Sequence, residues 1–137
     1  MRTLAALLAL VCMDSRLSGQ ATLPDAAQQA ATAWTAHNPE ALVGSSSRVA
    51  LEIPGADPSG PLPPAQAIEL LRRYLRPARE QGVSIRTVKE DAPGSGFVVL
   101  ERAYSLAGTS DVRRETLLLR YRKAGADWQL TELRAAP

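Results

Sequence analysis

The sequence is short of the side chains that carry covalent and metal chemistry, with one cysteine, Cys12, and one histidine, His37. Cys12 lies inside an unbroken apolar stretch, Leu4 to Met13, which follows the positive Arg2 and precedes the small residues Ser18, Gly19 and Ala21. That layout is the one expected of a secretory signal, with an apolar segment too short to span a bilayer. A buried N-terminal helix and a retained anchor are the competing readings, and Asp14 and Arg16 make the region before the cleavage site more charged than usual. Cys12 also raises lipid attachment, although Val11 precedes it where a small residue is wanted. Export is the reading adopted: residues 1–21 form a signal peptide, residues 22–137 a single domain, and the location is periplasmic or secreted. Removal of the leader takes Cys12 with it, which excludes a disulfide, a thiol nucleophile and a cysteine metal ligand from the mature chain.

An excess of charge of one sign is also lacking. The whole chain carries a formal +2, and losing Arg2, Arg16 and Asp14 with the leader lowers this to +1. That balance is not one for binding nucleic acid. The pI near 9.0 reflects basic residues that are almost all arginine, interleaved with acids along a solvated surface. After leader removal no stretch is expected to span a membrane.

What is present is a strong alternation of secondary-structure signals. Leu23, Ala27, Ala30, Ala31 and Trp34 recur at helical spacing behind Pro24, Asp25 and Gln28, which resemble a capping arrangement. Asn38, Pro39 and Gly44 frame a further short helical turn. Arg48 to Ile53 alternates as a half-buried strand. Pro54 to Pro64 is proline-rich loop, and Ala65 to Arg76 predicts an amphipathic helix burying Ile68, Leu71 and Leu75, ended by Pro77 and closed by Gly82. Four strands follow: Val83 to Lys89, Gly96 to Leu106, Val112 to Lys123, and Trp128 to Ala135. Their connections are of hairpin length, too short for crossover helices, so they predict an antiparallel meander.

This order predicts an α+β fold in which a curved antiparallel sheet of about five strands wraps around two N-terminal helices. The segments VALEIPG (Val49 to Gly55), AQAIELLRRYL (Ala65 to Leu75) and LLLRYRKAGADWQLTELR (Leu117 to Arg134) resemble the nuclear-transport-factor-2-like superfamily, the cystatin-like α+β cone. Within it they are similar to the small exported bacterial proteins grouped as domain of unknown function 4783. The resemblance implies an exported cone domain of unassigned role. The superfamily also contains isomerases and dehydratases that use Asp, His or Tyr inside the cone, so each candidate residue has to be weighed.

His37, at the end of the first helix, reads as a solvated residue or a helix C-terminal charge partner rather than a catalyst. The scattered acids and single histidine argue against a metal site, and no cofactor is implied. Among the strand carboxylates, Glu52 is out of phase with Val49, Leu51 and Ile53, whereas Glu132 is in phase with Trp128 and Leu130 and is the acid expected to be able to face inward. Surface pairing of Glu101 and Glu132 with Arg102 and Arg134 is the favoured role for these acids. Ser45 to Ser47 lacks both nucleophile-elbow glycines and a base. No residue is assigned as catalytic. Trp34, Tyr74, Tyr104, Tyr121 and Trp128 are either core fillers or, with Glu132, the lining of a ligand pocket. The expectation is a non-catalytic binding or interaction module for a small apolar ligand or a protein partner. The alternatives are an isomerase or dehydratase using an inward carboxylate, and a structural homodimer formed through the outer face of the sheet.

Overall fold

The computed structural model describes residues 22–137, so the expected signal segment, residues 1–21, lies outside the described residues. Thr22 starts the first helix, α1 (Leu23–Thr35), its hydroxyl accepting the Asp25 N–H at 3.2 Å. The cap is therefore Thr22 rather than a Pro24-Asp25 arrangement, and Pro24 sits in the first turn, where its missing N–H costs nothing. Alanines at 26, 27, 30 and 33 are buried together with Trp34, so α1 can lie close against the sheet. The short α2 (Pro39–Val43) is capped by Asn38, which accepts from Ala41 N–H at 3.1 Å, and ends at Gly44 with φ of 56°.

After β1 (Ala50–Glu52) and the proline-rich loop, α3 (Pro64–Leu75) buries Ala67, Leu71 and Leu75 and only partly buries Ile68. The next element departs from expectation. β2 (Ala78–Ala92) begins directly after Pro77, so the Ala78 to Gly82 segment is strand rather than the tail of a helix, and Gly82 lies at an irregularity between Glu80 and Gly82. Pro77 removes the N–H that a continuing helix would need, and the chain leaves in extended form at once.

β3 (Ser95–Leu106), β4 (Arg113–Ala124) and β5 (Asp127–Ala136) complete the expected antiparallel meander with β2. The sheet order is β1-β5-β4-β3-β2, and β1 joins β5 in parallel, so the sheet is mixed at one edge. Three register shifts in β2 and one between Arg120 and Tyr121 in β4 bend and twist the sheet into an open cone. Its inner face presents Val98, Leu100, Leu117, Leu119, Leu130 and Leu133 to α1 and α3 as one core. Gly96 permits the closest approach: a Cβ there would meet Leu23 Cδ2 at 2.5 Å and the Lys89 carbonyl oxygen at 2.6 Å. Among the described residues no helix is long and apolar enough to cross a membrane.

Candidate functional site

The register of β2, β3 and β4 gathers a charged cluster inside the cone. Arg102 and Tyr104 are two residues apart on β3 and therefore share its inner face. Glu115 on β4 is the cross-strand partner of Arg102, and Glu80 on β2 is the partner of Tyr104, one pair further along. Tyr74 arrives from α3 and Trp34 from α1. The Arg102 side chain is only 1% exposed.

A buried guanidinium is tolerated only when its charge and its donors are matched. Here Glu80 takes Nε at 3.1 Å and Nη2 at 2.5 Å in a two-pronged grip, and Glu115 takes Nη1 at 3.0 Å. The Tyr74 hydroxyl lies 3.4 Å from Nη1 and donates to Glu115. The flat faces of the guanidinium are covered as well: its carbon is 3.8 Å from the Tyr104 ring centre, 5.1 Å from that of Trp34 and 5.5 Å from that of Tyr74. Burial, reinforced by the hydrogen bond to Glu115, pushes the Tyr74 phenol well above its ordinary range, so it remains a neutral donor. His37, held at φ of 51° just past α1, places Nε2 3.2 Å from Glu80 Oε1.

A cleft of about 360 Å³ opens over this cluster, between α3, the loop after β1, and the β2 and β3 ends. Arg102, Tyr74 and Tyr104 reach its wall, Leu70, Leu106, Ile53 and Ala56 supply apolar surface, and Arg73 stands at the rim. Glu80 and Glu115 are not part of the wall; they lie behind Arg102. Among the described residues the cleft thus offers hydrogen-bond donors and apolar contact, and no free carboxylate. Among the described residues no group of three or more His, Cys, Asp and Glu side chains is placed to hold a metal ion.

The six pocket residues proposed from sequence are divided by the fold. Trp34, Tyr74 and Tyr104 surround Arg102, with Tyr74 and Tyr104 also lining the cleft. Tyr121 and Trp128 are buried at the other end of the sheet, where they border a second cleft of about 370 Å³ with Leu42, Ser45 and Leu130. Glu115 and Tyr121 are six residue steps apart on β4, which is about 20 Å of strand. Glu132 does not face inward. Thr131 is the extra residue opposite the Arg120/Tyr121 step, so Tyr121 pairs with Leu130 while Arg120 pairs with Glu132, and the alternation of β5 is reset. Leu133 takes the inner position and Glu132 binds Arg134 Nε at 2.5 Å on the outer face.

Three residues of the cluster were missed by sequence reasoning. Glu80 falls in the stretch whose pattern predicts a helix tail, and Glu115 lies in β4 with no motif that singles it out. Arg102 was read as a surface partner of Glu101, yet it lies on the opposite face, and Glu101 pairs with Arg86 and Arg114 instead. The usable signal was strand phase: Arg102 alternates in step with the inward Val98 and Leu100.

No protein-family model matches the sequence, and no curated protein matches it. Comparison with solved structures places the fold. A DUF4783 family protein from Bacteroides ovatus superposes with a TM-score of 0.63 at 13% identity, covering 78% of this chain and 90% of its own. A ketosteroid isomerase-like protein from Erwinia carotovora atroseptica gives 0.69 at 17% identity, covering 88% and 100%. A hypothetical protein with a ketosteroid isomerase-like fold from Catenulispora acidiphila, solved in complex with trimethylamine, gives 0.64 at 16% identity, covering 85% and 87%. The chain has the α+β cone fold that the sequence segments resembled.

Proposed function

We propose that this protein is an exported, non-catalytic binding module that holds a small, largely apolar molecule in the cleft beside Arg102. The observation that carries this reading is the commitment of both inward acids. A general base needs a carboxylate within reach of substrate and free to take a proton. Glu80 and Glu115 are instead both hydrogen-bonded to one guanidinium and sit behind it, away from the cleft. Arginine remains protonated, and Tyr74 is held neutral by burial and by Glu115, so neither replaces the missing base. This commitment favours the binding module over the isomerase or dehydratase alternative. The trimethylamine complex of the Catenulispora acidiphila protein supports the idea that a cone of this kind admits a small organic molecule.

The homodimer alternative has less behind it. The outer face carries Phe97, Val99 and Leu118 as half-buried residues, but the ion pairs of Arg86, Glu101, Arg114, Arg120 and Asp91 break that surface into small apolar pieces.

Export is tested by N-terminal sequencing of the mature protein, expected to begin between Gln20 and Thr22. An intact Met1 on a soluble intracellular protein overturns it. Binding is tested by native mass spectrometry of protein purified after expression with its leader. The expected result is a co-purified small molecule that is absent from a Leu70→Trp variant, in which the indole fills the cleft. A ligand retained by that variant overturns the placement.

A further inference from the structure

We infer that the cleft selects an apolar molecule bearing one carboxylate, with the carboxylate at the Arg73 end and the hydrocarbon against Leu70, Leu106 and Tyr104. The inference rests on the binding-module reading and adds the ligand's charge to it. Among the described residues four polar side chains line the cleft, Arg73, Tyr74, Arg102 and Tyr104, and no Asp, Glu, Asn or Gln is among them. The Tyr74 hydroxyl is already given to Glu115. Of the five guanidinium N–H groups of Arg102, four are directed at Glu80, Glu115 and Tyr74, which leaves one on Nη2. Arg73 is held only through Nε, at 3.3 Å from Glu69, so both of its Nη groups are available.

These donors are not matched to a cationic ligand. An ammonium group would find no carboxylate in the wall, and the aromatic faces that attract alkylammonium ions are occupied by Arg102 itself. The number of anionic groups is limited to one by where positive charge is left over. Arg102 is outnumbered by its two carboxylates, so the base of the cleft has no net positive charge to offer a second anion. Only the rim, at Arg73, does. A single exposed guanidinium suits the paired oxygens of a carboxylate, whereas a phosphate dianion set against apolar walls would have oxygens without donors. The cleft volume of about 360 Å³ is near the lower end for small-molecule sites, which fits an acid of medium chain or one ring.

The test is a titration of the ¹⁵N-labelled mature protein with octanoate and 3-phenylpropanoate, alongside octanamide and octylamine as matched neutral and cationic probes. Both carboxylates are expected to shift the amides of Ala56, Leu70, Arg73 and Tyr104 saturably. Octanamide should bind about tenfold more weakly, and octylamine more weakly still. Arg73→Gln, at an exposed position that the fold does not need, should weaken octanoate about tenfold and octanamide much less, which narrows the difference between the two. If octanamide or octylamine binds as tightly as octanoate, the charge assignment is overturned while the binding cleft stands. Saturable shifts confined to Tyr121 and Trp128 overturn the location. If none of the four probes moves the cleft residues, the inference and the binding reading fall together.

Discussion

Glu101 and Arg102 are adjacent on β3, and because strand side chains alternate, the first points to the outer face of the sheet and the second into the cone. Each is the centre of a three-residue ion cluster, and the two are inverses. Outside, one carboxylate serves two arginines: Glu101 accepts from Arg86 at 2.7 Å and from Arg114 at 3.1 Å. Inside, one guanidinium serves two carboxylates, with all three side chains no more than 4% exposed. The residue types and separations are alike, and the solvent is what differs. Outside, water screens the charges and the cluster adds little to stability. Inside, desolvating three charges costs what their pairing recovers, so the cluster is poorly explained as a stabiliser. It is better explained as the fixed wall of the cleft that Arg102 helps to line.

The sharpest break of this symmetry is Arg102→Ala. It strands two buried carboxylates and removes the cation shared by three aromatic rings, and should cost about 3–5 kcal/mol in urea unfolding. Millimolar guanidinium ion should recover part of the loss by entering the vacated cage. The same mutation made together with Glu80→Met and Glu115→Leu, with Tyr74→Phe to remove the stranded hydroxyl, should return most of the stability. A combined variant as unstable as Arg102→Ala alone would mean that the inner cluster does hold the fold together.

The apolar part of the same inner face sets the scale. Leu71 is fully buried on α3, and Leu71→Ala should cost about 2–5 kcal/mol as a core truncation with a residual cavity. A loss well under 1 kcal/mol would mean that α3 is not packed on the sheet.

Tyr74 connects the charged and apolar regions, and Tyr74→Phe should cost about 1–3 kcal/mol by leaving Glu115 short of a donor. It also has a pH signature. Tyr74 and Tyr121 are both raised above the ordinary value of 10.0, Tyr74 by burial and then by Glu115, Tyr121 by burial alone. A raised folded value means that the stabilising contribution is complete below pH 10 and is lost as the pH climbs above it. Wild-type protein should therefore lose stability above that point, and Tyr74→Phe combined with Tyr121→Phe should flatten the loss. An unchanged alkaline slope would place both phenols in contact with water.

The legibility of this fold from sequence follows the same division between regular and reset alternation. Trp34, Leu71, Leu100 and Leu117 lie where helical or strand periodicity puts them, because nothing interrupts the pattern around them. Errors gather at the irregularities. The shift at Thr131 turns Glu132 outward, and the early start of β2 hides Glu80. A bulge adds one residue without a strong composition signal, so strand phase beyond it cannot be carried forward from the residues before it. Arg102 was missed for a different reason. Its phase was readable, but a charged residue at an inner position is normally reassigned to the surface, and its two neutralising partners come from other strands.

The smallest expected effect, and the cleanest test of the comparison, is Glu101→Gln on the outer face. Hydrogen bonding from Arg86, with Arg114 contributing less, holds the Glu101 carboxyl below its ordinary value of 4.5. A lowered folded value means that its contribution is present above pH 4.5 and disappears as the pH falls through the folded value. The stability difference between wild type and Glu101→Gln should therefore be small at neutral pH and vanish in that acid window. It should also vanish at neutral pH in about 1 M salt, where the screening length is about 3 Å. Arg102→Ala measured in the same salt should keep most of its deficit, because that deficit comes from two carboxylates left buried without their donors rather than from a screened surface attraction. If salt erased both deficits alike, burial would not be what separates the two clusters, and the account of Arg102 as a fixed inner wall would fail.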